Sequence, residues 1–283
     1  MMSNRLFKII AINIIFIWLA VLALLPFIMV VVASFLQQGD ENLFNWHLTV
    51  INYTQLINPI FLHIFWRSLV VSVITTILCL ALGYPFAYIL AQLSEKLRLA
   101  CLFLIIIPFW TSSLIRSYAI ITILKTQGLL NQLLLTLHLI HQPLHILYTQ
   151  YASQVGLVYS LLPFMVLPLY ATLEKFDWRL VDAARDLGAN RLRAFWQIVV
   201  PISAPGIIAG VMLVLLPAMT LFYIPEILGG AKSILLGNLI KNQFLEGQNW
   251  PLGSSISIVL TFFMALLIGV YWKFNKNKKQ VLI

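Results

Sequence analysis

Six apolar runs, at about 9–36, 64–92, 99–124, 154–173, 203–224 and 254–273, take up most of a 283-residue chain and leave only modest connections. Each is long enough to cross the hydrocarbon of a bilayer, which takes roughly 20 apolar residues in a helix. Only 10% of the residues are charged and mean hydropathy is +0.95, whereas soluble domains carry about a quarter charged residues. A water-facing surface cannot be built from this composition. The runs therefore predict an all-α, polytopic membrane protein with six transmembrane helices and exclude a large soluble domain. Cys79 and Cys101 both fall inside apolar runs and read as small hydrophobes, not as a disulfide or a metal pair.

Charge orients the helices. The first run follows Arg5 and Lys8, as a signal peptide would, but its apolar stretch is too long for a cleaved one, so it is expected to remain as the first span. With the N-terminus inside, thirteen of the 18 Lys and Arg residues fall in cytoplasmic segments: Arg5 and Lys8; Lys96 and Arg98; Lys175, Arg179, Arg185, Arg191 and Arg193; and Lys273, Lys276, Lys278 and Lys279. Arg67, Arg116, Lys125, Lys232 and Lys241 are the remainder. An even number of spans brings the C-terminus inside as well. The formal charge of +9 thus reads as a topology signal; no soluble basic domain exists to bind nucleic acid. Outer connections near 37–63, 125–153 and 225–253 hold Trp46, Tyr53, Tyr148, Tyr151 and Trp250, and Trp66 stands at the start of the second run; all suit the interfacial aromatic belt.

Several spans contain helix breakers: Gly83 and Pro85, Pro108, Pro163 and Pro168, then Pro201, Pro205 and Pro217. In lipid, freed backbone groups survive only against other protein or a wet cavity, so the breakers point to a packed bundle with a pathway.

The connection from Glu174 to Ser203 is the longest cytoplasmic one. Leu180, Ala183, Ala184 and Leu187 fall at i, i+3, i+4 and i+7 and form an apolar stripe, with Arg179, Asp182, Arg185 and Asp186 off it. Gly188 ends that helix and Asn190 caps a second, whose stripe is Leu192, Phe195, Trp196 and Val199, closed by Pro201. The pattern predicts helix, glycine elbow, helix. From the residues alone, the pair either lies on the lipid headgroups or meets a partner.

Asp182, Ala183 and Ala184, then Gly188 after three residues, then Ile198, Val200 and Pro201 after nine more, resemble the EAA signature of ABC importer permeases. The offsets agree throughout; Asp182 stands for Glu and Val200 for Leu. The stretches 82–88 (LGYPFAY), 107–118 (IPFWTSSLIRSY), 161–170 (LLPFMVLPLY), 221–244 and 249–258 resemble the spermidine/putrescine permeases, over nearly the whole chain. That resemblance implies the type I, MetI-like permease fold in a bacterial inner membrane and a role as the translocation subunit of a polyamine importer. It implies four kinds of partner: a second related permease subunit, two copies of an ATPase, a periplasmic polyamine-binding protein, and the polyamine itself. It assigns Asp182, Ala183, Ala184, Gly188, Ile198 and Pro201 to ATPase coupling. It also implies an acid near Glu226, where the family has aspartate. The chain then divides into 1–63 (N-terminal tip, first helix and outer loop), 64–273 (permease core, with the coupling loop at 174–203) and a basic tail, 274–283.

No G-x-x-x-x-G-K-[ST] phosphate loop is present; Gly229, Gly230, Ala231, Lys232 and Ser233 lack its spacing. Energy is expected from another chain, and neither a catalytic residue nor a cofactor is expected in this one. Ammonium groups crossing a bilayer need carboxylates and aromatic faces, so Trp110, Tyr118, Tyr159, Tyr223 and Glu226 are the candidates for a route on the outer half. Arg116, near the outer end of the third span, is given a structural role, with Glu226 as a candidate partner. His138, His141 and His145 fall at i, i+3 and i+7, but no acid or cysteine stands near them and Pro143 interrupts the pattern, so zinc is not expected. A permease of the same family for iron, sulfate or an amino acid is the alternative. An ion-driven secondary transporter would need acids at the centre of its spans and repeated halves, and neither is seen.

Overall fold

The computed structural model describes residues 2–39, 45–230 and 234–279. Lys232 and the end of the basic tail, 280–283, lie outside the described residues. Among the described residues, five helices are long and apolar enough to cross a membrane, and a bent helix pair makes a sixth if its two arms count as one span. The chain divides into two compact units, one built from residues up to Leu62 with Leu239–Leu266, the other from His63–Asn238 with the chain from Leu267 onward.

The first unit contains α1 (Met2–Ser34), whose apolar side chains from Ile12 onward are largely exposed, as a lipid-facing span requires. A small antiparallel hairpin, β1 (Leu36–Gln37) and β2 (Asn45–Leu48), and the short α2 (Ile51–Gln55) follow. Asn52 fastens the end of α1. Its buried amide donates to the Ser34 carbonyl at 3.0 Å and the Leu36 carbonyl at 2.8 Å. Tyr53 adds a 2.7 Å hydroxyl pair with Ser34. At the other end of this unit, the C-terminal half of α12 (Leu236–Leu245) turns into α13 (Trp250–Lys279), with Phe244 and Trp250 in edge contact at 5.6 Å.

The second unit is built around α3 (Pro59–Gln92), α7 (Gln150–Leu173) and α10 (Val200–Thr220). Its core includes Cys79, Leu161, Met165, Leu169, Leu173, Val214 and Ala218, all buried. α7 and α10 form the most extensive helix pair. Gly206 sets their approach, for a Cβ there would stand 2.5 Å from the Thr172 hydroxyl and 2.8 Å from the Pro168 carbonyl. Small residues at such crossings let backbones meet, which is how helices associate in lipid. Gln154 of α7 donates to the Thr75 hydroxyl of α3 at 2.7 Å. Interhelical bonds of this kind are worth about 0.6 kcal/mol in membranes, so close packing is the larger determinant of the bundle.

Two sequence expectations change. The third run is not a straight span: α4 (Glu95–Ile106) passes into a single 3-10 turn, Ile107–Trp110, and the following arm, Ser113–Thr136, which opens with α5 (Ser113–Leu124), leaves at 99°. Pro108 has no N–H for the Leu104 carbonyl, so the helical ladder stops there. Pro201, in turn, does not close the second elbow helix. The chain is helical from Arg191 to Thr220 without a gap. α9 (Arg191–Ala194) runs through one wider π turn, Phe195–Val199, into α10. The Val200 N–H reaches back five residues to the Phe195 carbonyl, and this widened turn accommodates a proline that has no N–H to offer.

Candidate functional site

The elbow begins where α7 stops. Glu174 closes that helix and pairs with Arg98 at 3.4 Å, which ties the start of α4 to the elbow's entry. The Asp177 carboxylate accepts the Arg179 N–H at 3.1 Å and so starts α8 (Arg179–Asp186). α8 ends in a Schellman motif: the Ala189 N–H bonds the Ala184 carbonyl at 3.0 Å and the Gly188 N–H bonds the Arg185 carbonyl at 2.9 Å. Gly188 has φ of +89°, the left-handed region that the sequence pattern requires of it. Asn190 accepts the Arg193 N–H at 2.7 Å and caps α9.

The six coupling candidates divide by exposure. Ala184 and Ile198 are half-buried, while Asp182, Ala183, Gly188 and Pro201 are exposed. The side turned to the bundle is set by Trp178, Val181, Phe195 and Ile198, which pack on the core. Leu180 and Leu187 of the apolar stripe are exposed, Leu187 at 91%. Asp182, Arg185, Asp186, Ala189, Asn190 and Arg191 line an open groove of about 590 Å³. A groove of mixed charge beside bare leucines is a surface suited to a protein partner.

On the broken third span, Thr111 is extended and its hydroxyl donates to the Pro108 carbonyl at 2.8 Å. Phe109 meets Phe164 of α7 edge-on at 5.3 Å. The Arg116 guanidinium lies 5.4 Å from the centre of the Phe109 ring, and its Nε is buried without a hydrogen-bond partner. Phe109 and Phe164 are not among the sequence candidates; the neighbouring Pro108 was the available signal. Non-helical backbone at membrane depth requires protein or water against it, and Phe164 of α7 supplies protein contact on one side of this break.

The five route candidates occupy three places. Trp110, 77% exposed, stands in the break with Phe103 as its ring neighbour at 6.1 Å, and Tyr118 is exposed on α5. Tyr159 is exposed on α7. Tyr223 and the exposed Glu226 share α11 (Tyr223–Gly229), a short helix within a stretch expected to be an outer connection. Ile224 and Leu228 of α11 are fully buried against α7 at Gly156, where a Cβ would run into a Leu228 methyl. The candidates are thus distributed over separate elements rather than gathered in one cluster. The outer stretch after α5 is pinned by a residue that the sequence did not flag: buried Asn131 on α6 (Leu129–Thr136) donates to the Lys125, Thr126 and Leu144 carbonyls and accepts the Leu144 N–H at 2.9 Å. His145 lies 3.4 Å from the Thr126 hydroxyl, and no His, Cys, Asp or Glu group suited to a metal occurs among the described residues.

The family profile described as "Binding-protein-dependent transport system inner membrane component" matches residues 83–272, from within α3 through the elbow to α13. The chain belongs to this permease family. Over 278 residues, 98% of its length, the permease is 49% identical to the spermidine/putrescine transport system permease protein PotB of Haemophilus influenzae, of which it covers 97%. Two solved structures share its fold at 15% identity. One is a bacterial ABC transporter involved in the import of the acidic polysaccharide alginate (TM-score 0.77, covering 97% of the permease and 96% of that chain). The other is the bacterial alginate ABC transporter in complex with an alginate pentasaccharide-bound periplasmic protein (TM-score 0.73, covering 94% and 92%). The MetI-like importer fold expected from the elbow signature is thus the fold of the permease.

Proposed function

We propose that the permease is a translocation subunit of an ATP-driven polyamine importer and forms half of its pathway beside a second, related permease subunit. The observation that carries this reading is the near-full-length similarity to a spermidine/putrescine permease, which extends beyond the segment shared by the whole family. A periplasmic polyamine-binding protein delivers the solute, and a pair of ATPase subunits supplies energy at the elbow through Asp182, Ala183, Ala184, Gly188, Ile198 and Pro201. Both termini are cytoplasmic and the elbow faces the same side. The permease itself hydrolyses nothing, and its division into 1–63, 64–273 and the tail 274–283 follows from this role.

Each ammonium of a polyamine must exchange part of its hydration for other favourable contacts as it crosses. Aromatic faces and a carboxylate offer these, so Trp110, Tyr118, Tyr159, Tyr223 and Glu226 are assigned to the route, with the Trp110 break as its border. Purified permease reconstituted with its partner permease, the ATPase and the binding protein should show ATP hydrolysis and uptake stimulated by spermidine or putrescine. Stimulation by an iron chelate, sulfate or an amino acid instead would transfer the protein to another solute within the same family. Glu226→Gln should raise the spermidine concentration for half-maximal uptake about tenfold, equivalent to about 1.4 kcal/mol, with assembly intact. Unchanged uptake kinetics would remove Glu226 from the route.

A further inference from the structure

Around the elbow, five aromatic rings from three segments meet. Phe176 and Trp178 lie just before α8, Phe195 lies just after α9, and Tyr84 and Tyr88 lie one turn apart on α3. The Tyr88 ring makes two edge contacts, with Trp178 at 5.3 Å and with Phe195 at 5.8 Å. It therefore touches both the entry and the exit of the elbow. Tyr84 meets Phe195 edge-on at 5.5 Å, and its hydroxyl pairs with that of buried Ser203 on α10 at 2.9 Å. Phe176 backs Trp178 at 4.9 Å.

Two backbone features flank this cluster. Phe195 opens the π turn, a wider and less favourable geometry than the α-helix on either side, and such turns recur at functional sites. Pro85 stands between the two tyrosines inside α3 and leaves the Ala81 carbonyl without its helical N–H. A pliable turn in the helix leaving the elbow thus faces a loosened turn in α3, and the rings are the material between them. Edge-to-face rings prefer definite mutual orientations, so a rotation of one alters the neighbour's best position.

We propose that Tyr84 and Tyr88 are positioning residues that pass displacement of the elbow to α3, with the Phe195 π turn as the compliant joint. The proposal rests on the coupling reading of the elbow. A demonstrated link needs a two-state element that both ends bias, not proximity alone, so both the energetic coupling and the movement are measured.

In proteoliposomes holding the complete transporter, uptake and ATP hydrolysis are measured together. Tyr88→Leu should lower solute moved per ATP hydrolysed about tenfold, the scale expected when two edge-to-face ring contacts are lost, while Tyr88→Phe keeps the wild-type ratio. Tyr88→Leu and Phe195→Leu combined should do no more than either alone. A wild-type ratio in Tyr88→Leu, or effects that multiply, overturns the relay.

A second measurement leaves the rings in place. With Cys79 and Cys101 replaced by alanine, spin labels are placed at Ile89→Cys, Leu192→Cys and Leu129→Cys, all exposed positions. On ATP binding, the 89–192 separation should stay constant while the 89–129 separation changes. A change in the first, or none in the second, overturns the relay. The underlying coupling reading is checked separately by crosslinking Ala183→Cys to the ATPase. Failure of that crosslink removes the coupling role itself, whereas a successful crosslink with an unaltered Tyr88→Leu ratio removes only the relay.

Discussion

Gly188 illustrates how one residue can be required for conformation alone. Nothing lies within 4 Å of where its Cβ would be, so any side chain has room. The cost of substitution is the left-handed backbone, about 1–2 kcal/mol for an L-residue, largest for a β-branched one and small for asparagine. Gly188→Val should therefore raise the ATP hydrolysed per solute moved in reconstituted transporter, while Gly188→Asn remains near wild type. Equal behaviour of the two would show that flexibility or surface shape, not φ, is what matters there. This residue was legible in the sequence because both neighbouring helices carried their own signals, a stripe ending before Gly188 and a cap at Asn190. Asn131 was not. A buried amide that gathers three carbonyls from a loop has no periodicity, and its partners are identified only once the chain has folded back.

At the level of elements, hydropathy located the spans but not their interruptions. An apolar run reads the same whether its helix is straight or turns through 99° at Thr111 and Ser112, because lipid solvation depends on side chains and the turn depends on backbone hydrogen bonds. Proline gave contradictory advice: Pro108 ends a helix, whereas Pro201 is carried inside one by the π turn. The difference lies in what surrounds each residue, since Phe195 and Val199 are held by the core on the elbow side. α11 was missed because, at seven residues, it is too short for a span and is anchored by Gly156 on another helix. Packing makes its own prediction here. Gly206→Leu should force apart α7 and α10, and overpacking of that kind costs about 1–3 kcal/mol. The expected result is a lower unfolding midpoint of the detergent-solubilised permease, read by tryptophan fluorescence; an unchanged midpoint would mean that the helices separate freely.

For the whole chain, the apolar runs carry the spans, and the proposed orientation rests on the Lys and Arg balance, which is open to direct test. A lone cysteine at Leu187, almost completely exposed, should react with a membrane-impermeant maleimide in inside-out vesicles and not in intact spheroplasts. The opposite labelling would invert the topology and place the elbow out of reach of any cytoplasmic ATPase. The similarity to a polyamine permease was legible for the same reason that the elbow was: both lie in strings of residues with fixed offsets. The residues proposed for the route lie on separate elements, and their spacing along the chain carries no information about which of them face a common space.

Gly206 brings one further consequence. Where it presses on Thr172 and the Pro168 carbonyl, α7 and α10 are welded along a seam with no width for a hydrated cation. That seam is a sealed wall in every state that keeps the contact. Under the proposed role, any solute therefore passes along another side of these helices.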